Sequence, residues 1–559
     1  MHRLGWGSVG GIFSLCIAGH AHALPCDCDH VVEPDVGIVD ASALGVAPGQ
    51  TVCVRGGPRE YLRLQKFLGS PEQPILVRNC EGVVDISNDD RGYALTVDAS
   101  RYLHVSGTGD ENATHGFRAR AARTGPDYSG MSVSVGDLSS DIELDHVEAY
   151  EAGFAGIMWK TDPRCDGSAN LGNFVMENSR LHHNYVHDTG GEGLYFGSTG
   201  YGGREYTCDG MQVLLYPHEH HGADIHDNTF ENTGWDGAQI GVTPQDCAFY
   251  RNTIRHVGLA GELYQQQGLQ IGGASACDVW GNTLMDGPTN GIFILGADDT
   301  LVYNNLVVDF GDSAIYANDQ ELDLAARYRF AHNTLLVGPG TRGLTVFGAK
   351  LGPGWAFNNV AVGPNPIGIG NDVPDFTQMA NITADSPDAL GFVDPASRDY
   401  HLLANSSLRD AGVAPPEPIS DDLDGVLRDD GAPDVGAFEY SPDPPPGDDT
   451  TGGPAETTTA DPDTGDITGD TPTTDTPTDG NSDSLTGSFP DDTGGPPNTA
   501  DAVTEFTSGP ADTGDQDDDS GGCGCTAAPT TAPWLAVLLL LPRRRPTRAR
   551  GTSAARAAP

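Results

Sequence analysis

Basic side chains are scarce in this sequence. Among its 559 residues only 30 are Lys or Arg, against 79 Asp or Glu, and the formal net charge at pH 7 is −49. Lysine occurs only at Lys66, Lys160 and Lys350. A field of this sign repels polyanions, and nucleic-acid binding requires Lys and Arg against phosphates. The composition therefore argues against a nucleic-acid partner.

Long apolar runs are also missing. The run Trp534–Leu541 has eight residues, which as a helix would span about 12 Å against about 30 Å for the hydrocarbon core of a bilayer. At the other end, residues 1–23 combine Arg3, a weakly apolar stretch and the small-x-small site Ala21-His22-Ala23. This pattern predicts a cleaved secretory signal peptide rather than a membrane span, so we expect an exported protein.

Residues 441–522 contain no Lys or Arg. They consist mainly of Asp, Thr, Pro, Gly and Ser and hold twenty acidic residues, so removing them from the charge of −49 leaves −29. Such a composition cannot bury a core and predicts disorder, and like charges extend the chain. We interpret the segment as a spacer.

What the sequence does contain is a recurring phrase in which Asn precedes a small or apolar residue and then an apolar one. Its spacings are 44, 24, 30, 23, 28 and 26 residues. The period is that of a solenoid with one insertion. The phrase occurs at Asn184, Asn228, Asn252, Asn282, Asn305, Asn333 and Asn359.

About nine residues after most of these Asn comes an apolar/variable/apolar triplet. Alternation with period two predicts short strands with one inward and one outward face. Several such strands per repeat predict an all-β protein, a parallel β-helix in which the Asn side chains stack as an internal ladder about 4.8 Å apart. The triplets are Leu194-Tyr195-Phe196, Ala238-Gln239-Ile240, Leu269-Gln270-Ile271, Ile292-Phe293-Ile294, Ile315-Tyr316-Ala317 and Leu344-Thr345-Val346.

The first coils carry a family resemblance. Gly45–Gly57, Gly69–Val77 and Tyr102–Gly107 alternate short apolar strands with Gly/Pro turns. They resemble the first coils of secreted right-handed parallel β-helix proteins, a group that includes polysaccharide lyases, glycoside hydrolases and epimerases. The resemblance implies a right-handed solenoid and leaves the reaction open. We assign residues 24–110 to the N-terminal cap and first coils and residues 111–374 to the β-helix.

Residues 375–440 end the folded part. The phrase Ser420–Tyr440 resembles the closing segment of bacterial surface proteins of the choice-of-anchor type. Asp421, Asp422 and Asp424 raise calcium as the one candidate cofactor, although the run lacks the spacing and Glu of an EF-hand loop. A polar turn is the alternative that we favour.

Residues 523–559 close the chain with Cys523 and Cys525, the short apolar run and an Arg cluster. This tripartite pattern resembles the myxobacterial C-terminal sorting signal, which implies recognition by processing machinery and attachment at the cell surface. Cys523 or Cys525 would be the modified residue.

Eight cysteines remain between the two terminal segments, as expected for disulfides in an oxidising compartment. Cys247 and Cys277 each lie five residues before a repeat Asn, so we predict that they bridge adjacent coils. Cys165 and Cys208 are predicted to pair between neighbouring loops. The pairing of Cys26, Cys28, Cys53 and Cys80 stays open among three connectivities.

The variable residues of the triplets form a predicted outward column. Aromatic and amide groups in such a column suit the apolar faces and hydroxyl edges of sugars. A second column, two residues before each Asn, is interpreted as a structural stack: His182, His226, Tyr250, Trp280 and Tyr303. The predicted sugar-binding residues are Tyr195, Gln239, Gln270, Phe293 and Tyr316, with Arg204 beside them.

Candidate catalytic groups lie next to that column. Glu192 and Asp236 occupy matching places on adjacent coils, which is near the carboxyl spacing of a retaining glycosidase. The insertion at residues 198–223 carries the run His218-Glu219-His220-His221, and His218, His220 and His221 are candidate bases. Turn acids and a polar loop are the competing interpretations, and the run fits no metal motif.

Two functions therefore remain open. One is a surface-anchored protein that binds and cleaves or modifies extracellular polysaccharide, as a lyase, hydrolase or epimerase. The other is a non-catalytic adhesin or glycan-binding stalk. The negative charge favours neutral glycans or calcium-bridged binding, and a capped solenoid predicts a monomer.

Overall fold

The computed structural model describes residues 26–125, 129–320, 326–338 and 341–442. The predicted signal peptide, residues 443–522 of the acidic segment and the C-terminal sorting segment with Cys523 and Cys525 lie outside the described residues. Across the described ranges, no helix combines the length and the apolar character that crossing a bilayer requires.

Each coil contributes one strand to a twelve-stranded sheet and one or two strands to a twenty-three-stranded sheet, and all these pairings are parallel. The twelve-stranded sheet contains Ile38–Asp40, Leu62–Gln65, Tyr93–Asp98, Met131–Gly136, Ile157–Trp159, Leu194–Gly197, Ala238–Gly241, Leu269–Ile271, Asn290–Leu295, Ser313–Asn318, Arg342–Val346 and Asn365–Ile369.

The larger sheet has two halves. The first half contains His30–Val32, Thr51–Arg59, Ile75–Asn88, Arg101–Ser106, Ser140–Asp145, Val175–His182, Glu219–His226, Gln245–Tyr250, Cys277–Trp280, Thr300–Tyr303, Tyr328–Ala331, Trp355–Phe357 and Thr377–Met379. The second half contains Phe117–Ala121, Val147–Tyr150, Tyr185–Thr189, Thr229–Thr233, Thr253–Arg255, Thr283–Gly287, Leu306–Phe310, Thr334–Leu336, Val360–Val362 and Ile382–Ala384.

Shorter elements complete the described chain. A four-residue α-helix spans Ala41–Leu44 and is capped by the Asp40 side chain. Two 3-10 helices span Pro387–Ala389 and Pro395–Ser397. Antiparallel pairs join Arg204–Cys208 to Met211–Leu215 and Phe392–Asp394 to Asp399–Leu402.

The corner between the two halves of the larger sheet is where the repeated Asn lies. The residue before each Asn has a left-handed backbone, as at Arg251 (φ 51°) and Asn304 (φ 53°), which costs a non-glycine residue about 1–2 kcal/mol. The Asn side chain offsets this cost. Asn305 Nδ2 lies 3.0 Å from Asn333 Oδ1 on the next coil, and Asn305 Oδ1 accepts from Asn282 Nδ2 at 2.9 Å. The predicted ladder is confirmed.

The ladder continues one coil further than the sequence repeat indicated. Asn359 Nδ2 donates to Asn381 Oδ1 at 2.9 Å, so Asn381 is an eighth member. At the other end, Val147 occupies the ladder position, and only its backbone N–H donates, to Asn184 Oδ1 at 3.0 Å. The repeat thus begins at the coil of Val147, where Leu144 already pairs with Leu181.

Inward residues of both sheets form one core. Residues three places before the Asn, such as Ile225, Phe249 and Val279, follow each other in register and are fully buried. At about 25 cal/mol per Å² of apolar surface removed from water, this continuous core is the main source of stability. Gly193, Gly237 and Gly268 precede the strands of the twelve-stranded sheet, where a Cβ would meet core side chains.

The disulfides follow the register. Cys247 pairs with Cys277 in the sheet, with a Cα–Cα distance of 4.4 Å, and the two are bonded. Cys165 is bonded to Cys208. Both predicted bridges are confirmed, and the open connectivity is Cys26–Cys80 with Cys28–Cys53.

The closing segment folds back onto the solenoid. Leu390, Phe392, Tyr400, Leu402 and Phe438 pack against outward residues of the second half of the larger sheet. On the last coils these outward residues are apolar: Leu306, Val308, Leu336, Val360 and Val362. The segment therefore covers one outer face of the solenoid, and the parallel strands themselves continue to Ala384.

Candidate functional site

The predicted outward column exists on the twelve-stranded sheet. Its members pair in register on successive coils. In order they are Tyr195, Gln239, Gln270, Phe293, Tyr316 and Thr345, preceded by Met158, which pairs with Tyr195. The strand period and the corner glycines fix this alignment, so the register prediction is confirmed.

One end of this face is closed. Tyr195, Gln239 and Gln270 are 3 %, 3 % and 5 % exposed, which differs from the open track that the sequence suggested. Phe154 and Met158 pack with Tyr195, together with the half-buried Trp235. Alternation predicts which side of the sheet a residue lies on, but the loops that cover that side leave no periodic signal.

The other end is open. Phe293 and Tyr316 are half-buried, and Phe347, which directly follows the last triplet, is 41 % exposed. The ring centroids lie 5.6 Å apart for Phe293 and Tyr316 and 6.1 Å apart for Tyr316 and Phe347. We call these three residues the aromatic strip. Sequence reasoning missed Phe347 because it stands outside the repeated triplet.

Glu192 and Asp236 lie at the head of the closed end. The strands that follow them pair in register, Leu194 with Ala238, so the two residues occupy matching corners of adjacent coils. Glu192 is 1 % exposed and Asp236 is fully buried. Asp236 Oδ1 accepts from the Gln267 backbone N–H at 2.6 Å, whereas Asp236 Oδ2 and Glu192 Oε2 are buried without a hydrogen-bond partner among the described residues.

Burial sets the protonation of this carboxyl pair. Desolvation raises the pKa of Asp236 to about 8, although the Gln267 N–H opposes the shift. Desolvation and the neighbouring Asp236 charge together raise the pKa of Glu192 to about 8. At neutral pH the pair therefore holds protons that ordinary carboxyl groups would have lost.

Beside the pair lies a lysine whose side chain is 9 % exposed. Lys160 Nζ is 3.0 Å from Asp162 Oδ1 and 4.6 Å from the centroid of the Tyr195 ring. Burial lowers the pKa of Lys160, but the charges of Asp162 and Tyr195 outweigh this and leave the pKa raised. Lys160 therefore stays cationic next to Glu192, whose charge it favours. No repeat motif pointed to it; its one signal was the rarity of lysine.

Arg204 reaches the same region from the insertion. It begins the first strand of the antiparallel hairpin, and its Nη2 donates to Thr199 Oγ1 at 3.4 Å. Tyr195 Oη lies 3.0 Å from the same Thr199 oxygen. The structure thus brings Tyr195, Arg204, Lys160 and Glu192 into one neighbourhood.

The histidine run does not form a loop. His220 and His221 belong to the strand Glu219–His226, so the prediction of a loop is wrong for them. His220 pairs with Met176 and faces the core, where its ring lies 4.7 Å from that of Phe196. Both ring nitrogens of His220 are buried without a partner in the described chain, and burial lowers its pKa well below the ordinary value.

The two flanking histidines have structural partners. His218 is 2 % exposed, accepts from the Thr161 N–H at 3.1 Å and packs edge-on against Phe174. His221 is half-buried and lies 3.0 Å from Glu219 Oε2. None of the three histidines has an observed contact with Glu192 or Asp236. The antiparallel hairpin before them interrupts the sequence repeat, so the start of the next parallel strand could not be recognised from the sequence.

The second column is a stacked ladder, as interpreted from the sequence. Ring centroids are 4.9 Å apart for His182 and His226 and 4.8 Å apart for His226 and Tyr250. The stack continues through Trp280 at 4.3 Å and Tyr303 at 5.6 Å. Each such pair contributes about 0.5–1.5 kcal/mol.

Among the three aspartates that raised calcium as a candidate, Asp422 and Asp424 have protein partners. Asp422 is buried and accepts from the backbone N–H groups of Asp424, Val426 and Glu439. Asp424 Oδ2 lies 2.7 Å from His401 Nε2. These contacts account for Asp422 and Asp424 as turn residues, and a role in calcium binding stays a prediction.

Two comparisons bear on the fold. A model of the family described as "right handed beta helix region" matches residues 213–370. The solenoid is a right-handed parallel β-helix. No curated protein sequence matches the chain significantly.

Several solved structures resemble this solenoid. Pectate lyase Pel9A is 15 % identical, with 74 % of this chain and 97 % of the lyase covered and a TM-score of 0.35. The A-module of the Azotobacter vinelandii mannuronan C-5 epimerase AlgE4 is 15 % identical, with coverages of 64 % and 96 % and a TM-score of 0.30. The Eubacterium ramulus GH136 lacto-N-biosidase is 13 % identical, with coverages of 64 % and 67 % and a TM-score of 0.36. Identities and TM-scores this low transfer no activity to this chain.

Proposed function

We propose that this protein is an exported, surface-tethered solenoid that binds extracellular polysaccharide along the outer face of its twelve-stranded sheet. The observation that carries the proposal is the aromatic strip. Three rings on successive coils are accessible on a rigid sheet, where holding them in place costs little conformational entropy. Flat apolar rings beside polar neighbours suit the alternating apolar faces and hydroxyl edges of sugars.

The net negative charge of the chain favours neutral glycans over anionic ones. A formal charge of −49 is spread over 559 residues with only 30 Lys or Arg. A polyuronate would have to overcome this repulsion, through calcium bridging or through local cations such as Arg204. We therefore propose neutral glycans as the preferred ligands, with calcium-dependent uronate binding as the alternative.

Binding without turnover is the version that the geometry favours. A retaining glycosidase needs one carboxyl as acid and one as nucleophile, about 5–5.5 Å apart, with substrate between them. Glu192 and Asp236 have a suitable spacing by register, but they are 1 % and 0 % exposed and both have a raised pKa. Catalysis by this carboxyl pair requires the side chains that cover the closed end of the sheet face to move.

The binding proposal is tested on an immobilised panel of neutral glycans and polyuronates. We expect the wild-type protein to retain at least one neutral glycan, and each of Phe293→Ala, Tyr316→Ala and Phe347→Ala to weaken that affinity about tenfold. Tyr102→Ala is the matched control, because Tyr102 is half-buried on the other sheet. Loss of affinity in the control alone, or unchanged affinity in all three strip variants, would contradict the proposal.

The same panel distinguishes an adhesin from an enzyme. The wild-type protein and the Glu192→Gln/Asp236→Asn double variant are incubated with every glycan that binds, and the products are analysed for new reducing ends and unsaturated sugars. We expect equal binding and no products from either protein. Products from the wild type that the double variant does not form would establish the catalytic version instead.

A further inference from the structure

Histidines and carboxylates meet on the outer face of the first half of the larger sheet. The face belongs to the strands Arg101–Ser106, Ser140–Asp145 and Val175–His182, which pair in register. Because alternate residues of a strand point outward, the register aligns side chains that are far apart in sequence. Two outward rows result: His104, Glu143 and Arg180, and next to them Ser106, Asp145 and His182.

Three side chains of these rows converge on one point. His104, Glu143 and Asp145 each offer one possible ligand atom, and these three atoms all lie within 4.8 Å of one another. His104 Nε2 hydrogen-bonds to Asp145 Oδ2 and lies 3.9 Å from Glu143 Oε1. Ligands of a tetrahedral ion at about 2.0–2.2 Å lie about 3.3–3.6 Å apart. Small rotations of these side chains would therefore admit a cation in place of the shared proton.

Other groups already hold the two carboxylates in place. Asp145 is 2 % exposed, and its second oxygen, Oδ1, is 2.8 Å from Ser106 Oγ and 2.5 Å from His146 Nδ1. Glu143 Oε1 is 3.0 Å from His182 Nε2 and 3.0 Å from Arg180 Nη1. The contacts of Asp145 Oδ1 are of the kind that orient a metal ligand and strengthen binding. A cation bound at Glu143 Oε1 would instead replace the contacts of that oxygen with His182 and Arg180.

The cluster opens onto a groove. A surface groove of about 250 Å³ contains His104, Glu143 and Arg180 in its wall, with Tyr102 and Asn178 beside them. Two of the three proposed ligands, His104 and Glu143, thus border open space, which suits a site that keeps a coordination position for water or a ligand.

We propose that His104, Glu143 and Asp145 bind one divalent transition-metal ion of the zinc class. Imidazole nitrogen combined with carboxylate oxygen selects such ions, whereas calcium prefers six to eight oxygen ligands. The ion displaces the proton that His104 and Asp145 share, so binding releases protons to solvent. The proposal is independent of glycan binding on the other sheet.

Zn²⁺ titration of the full chain, freed of metal with a chelator, tests the proposal. We expect one equivalent to bind with micromolar affinity or tighter, measured by calorimetry at pH 7. Co²⁺ in the same site should give visible absorption bands of a low-coordinate ion. We expect His104→Asn and Asp145→Asn to weaken Zn²⁺ binding about 100-fold or more, and Glu143→Gln about 10–100-fold.

Two controls separate this cluster from its surroundings. His226→Gln removes a histidine from the neighbouring group of His183, His226 and Asp227, and His256→Gln removes a half-exposed histidine elsewhere; both should bind Zn²⁺ as the wild type does. Glu143 is half-buried, so Glu143→Gln keeps the test valid where the other ligand variants fail to fold. The proposal is overturned if the wild type binds no stoichiometric Zn²⁺, if Glu143→Gln keeps full affinity, or if His226→Gln alone abolishes binding.

Discussion

Raising the pH from about 5 to about 8.5 is expected to destabilise the wild-type protein by several kcal/mol more than the Glu192→Gln/Asp236→Asn double variant, because each carboxyl group that stays protonated up to about pH 8 only in the folded state contributes about 4 kcal/mol. The cause is the buried carboxyl pair, whose two pKa values are raised to about 8. In the unfolded chain the same groups titrate at their ordinary values near pH 4.

The sign follows from proton binding. Between those two pKa ranges the folded protein holds protons that the unfolded chain has released, so its stability falls as the pH rises towards 8. Gln and Asn keep the shape of the two side chains and carry no titrating proton. Asn at position 236 also keeps an oxygen for the Gln267 N–H, which donates to Asp236 at 2.6 Å in the wild type.

Urea denaturation at several pH values measures this difference. The control is Glu205→Gln/Asp209→Asn, because these two residues are exposed on the hairpin; it should follow the wild-type pH dependence. Parallel curves for the wild type and the Glu192→Gln/Asp236→Asn variant would show that the pair is ionised and solvated in the folded state, and would reopen the case for an accessible catalytic site.

Replacing Arg428 by Met is expected to cost about 3–5 kcal/mol of folding free energy. Arg428 and Glu439 form a buried ion pair at 2.6 Å, with side chains 1 % and 2 % exposed. Arg428 Nη2 also donates to Asn304 Oδ1 at 3.1 Å and to the Gly436 carbonyl at 3.0 Å. The guanidinium thus attaches the closing segment to the corner that carries the Asn ladder, and its loss leaves Glu439 buried and unpaired.

The double variant Arg428→Met/Glu439→Gln should recover part of that loss, because no unpaired charge remains. Arg342→Met is the control: Arg342 pairs with Asp312 at 3.2 Å on a half-exposed surface, where such pairs contribute at most about 1 kcal/mol. Denaturation of the wild type and the three variants in guanidinium chloride measures these losses of folding free energy. An Arg428→Met variant as stable as Arg342→Met would show that the segment is held by its apolar contacts alone.

The fold could be predicted because its signals are periodic. The seven Asn phrases and the six triplets repeat with the coil, and each contact that they predicted lies between equivalent positions of neighbouring coils, such as Cys247 with Cys277. Asn381 was missed because Gln378 and Thr383 are polar where the other phrases carry apolar residues.

The site was less predictable because its decisive contacts come from outside the repeat. Tyr195 is covered by Phe154 and Trp235, which lie on corner segments. His220 occupies an inward position of its strand, but a histidine is polar and so does not mark that position as inward in the sequence. The sequence does contain one signal of the closing segment's position. In the strand Leu306–Phe310 the residues of both faces are apolar, which indicates that a further segment covers the outside, as the closing segment does.

The central claim is that the outward residues of successive coils lie directly above one another on the twelve-stranded sheet. The most direct test is oxidation of two cysteine pairs introduced into the full chain, followed by mass mapping of the unreduced protein. Phe293→Cys/Tyr316→Cys joins positions that pair in register on adjacent coils, whereas Phe293→Cys/Thr345→Cys joins positions two coils apart, about 9.6 Å. We predict a disulfide in the first variant and two free thiols in the second. Free thiols in the first variant, or a bond in the second, would contradict the register on which the sugar-binding face depends.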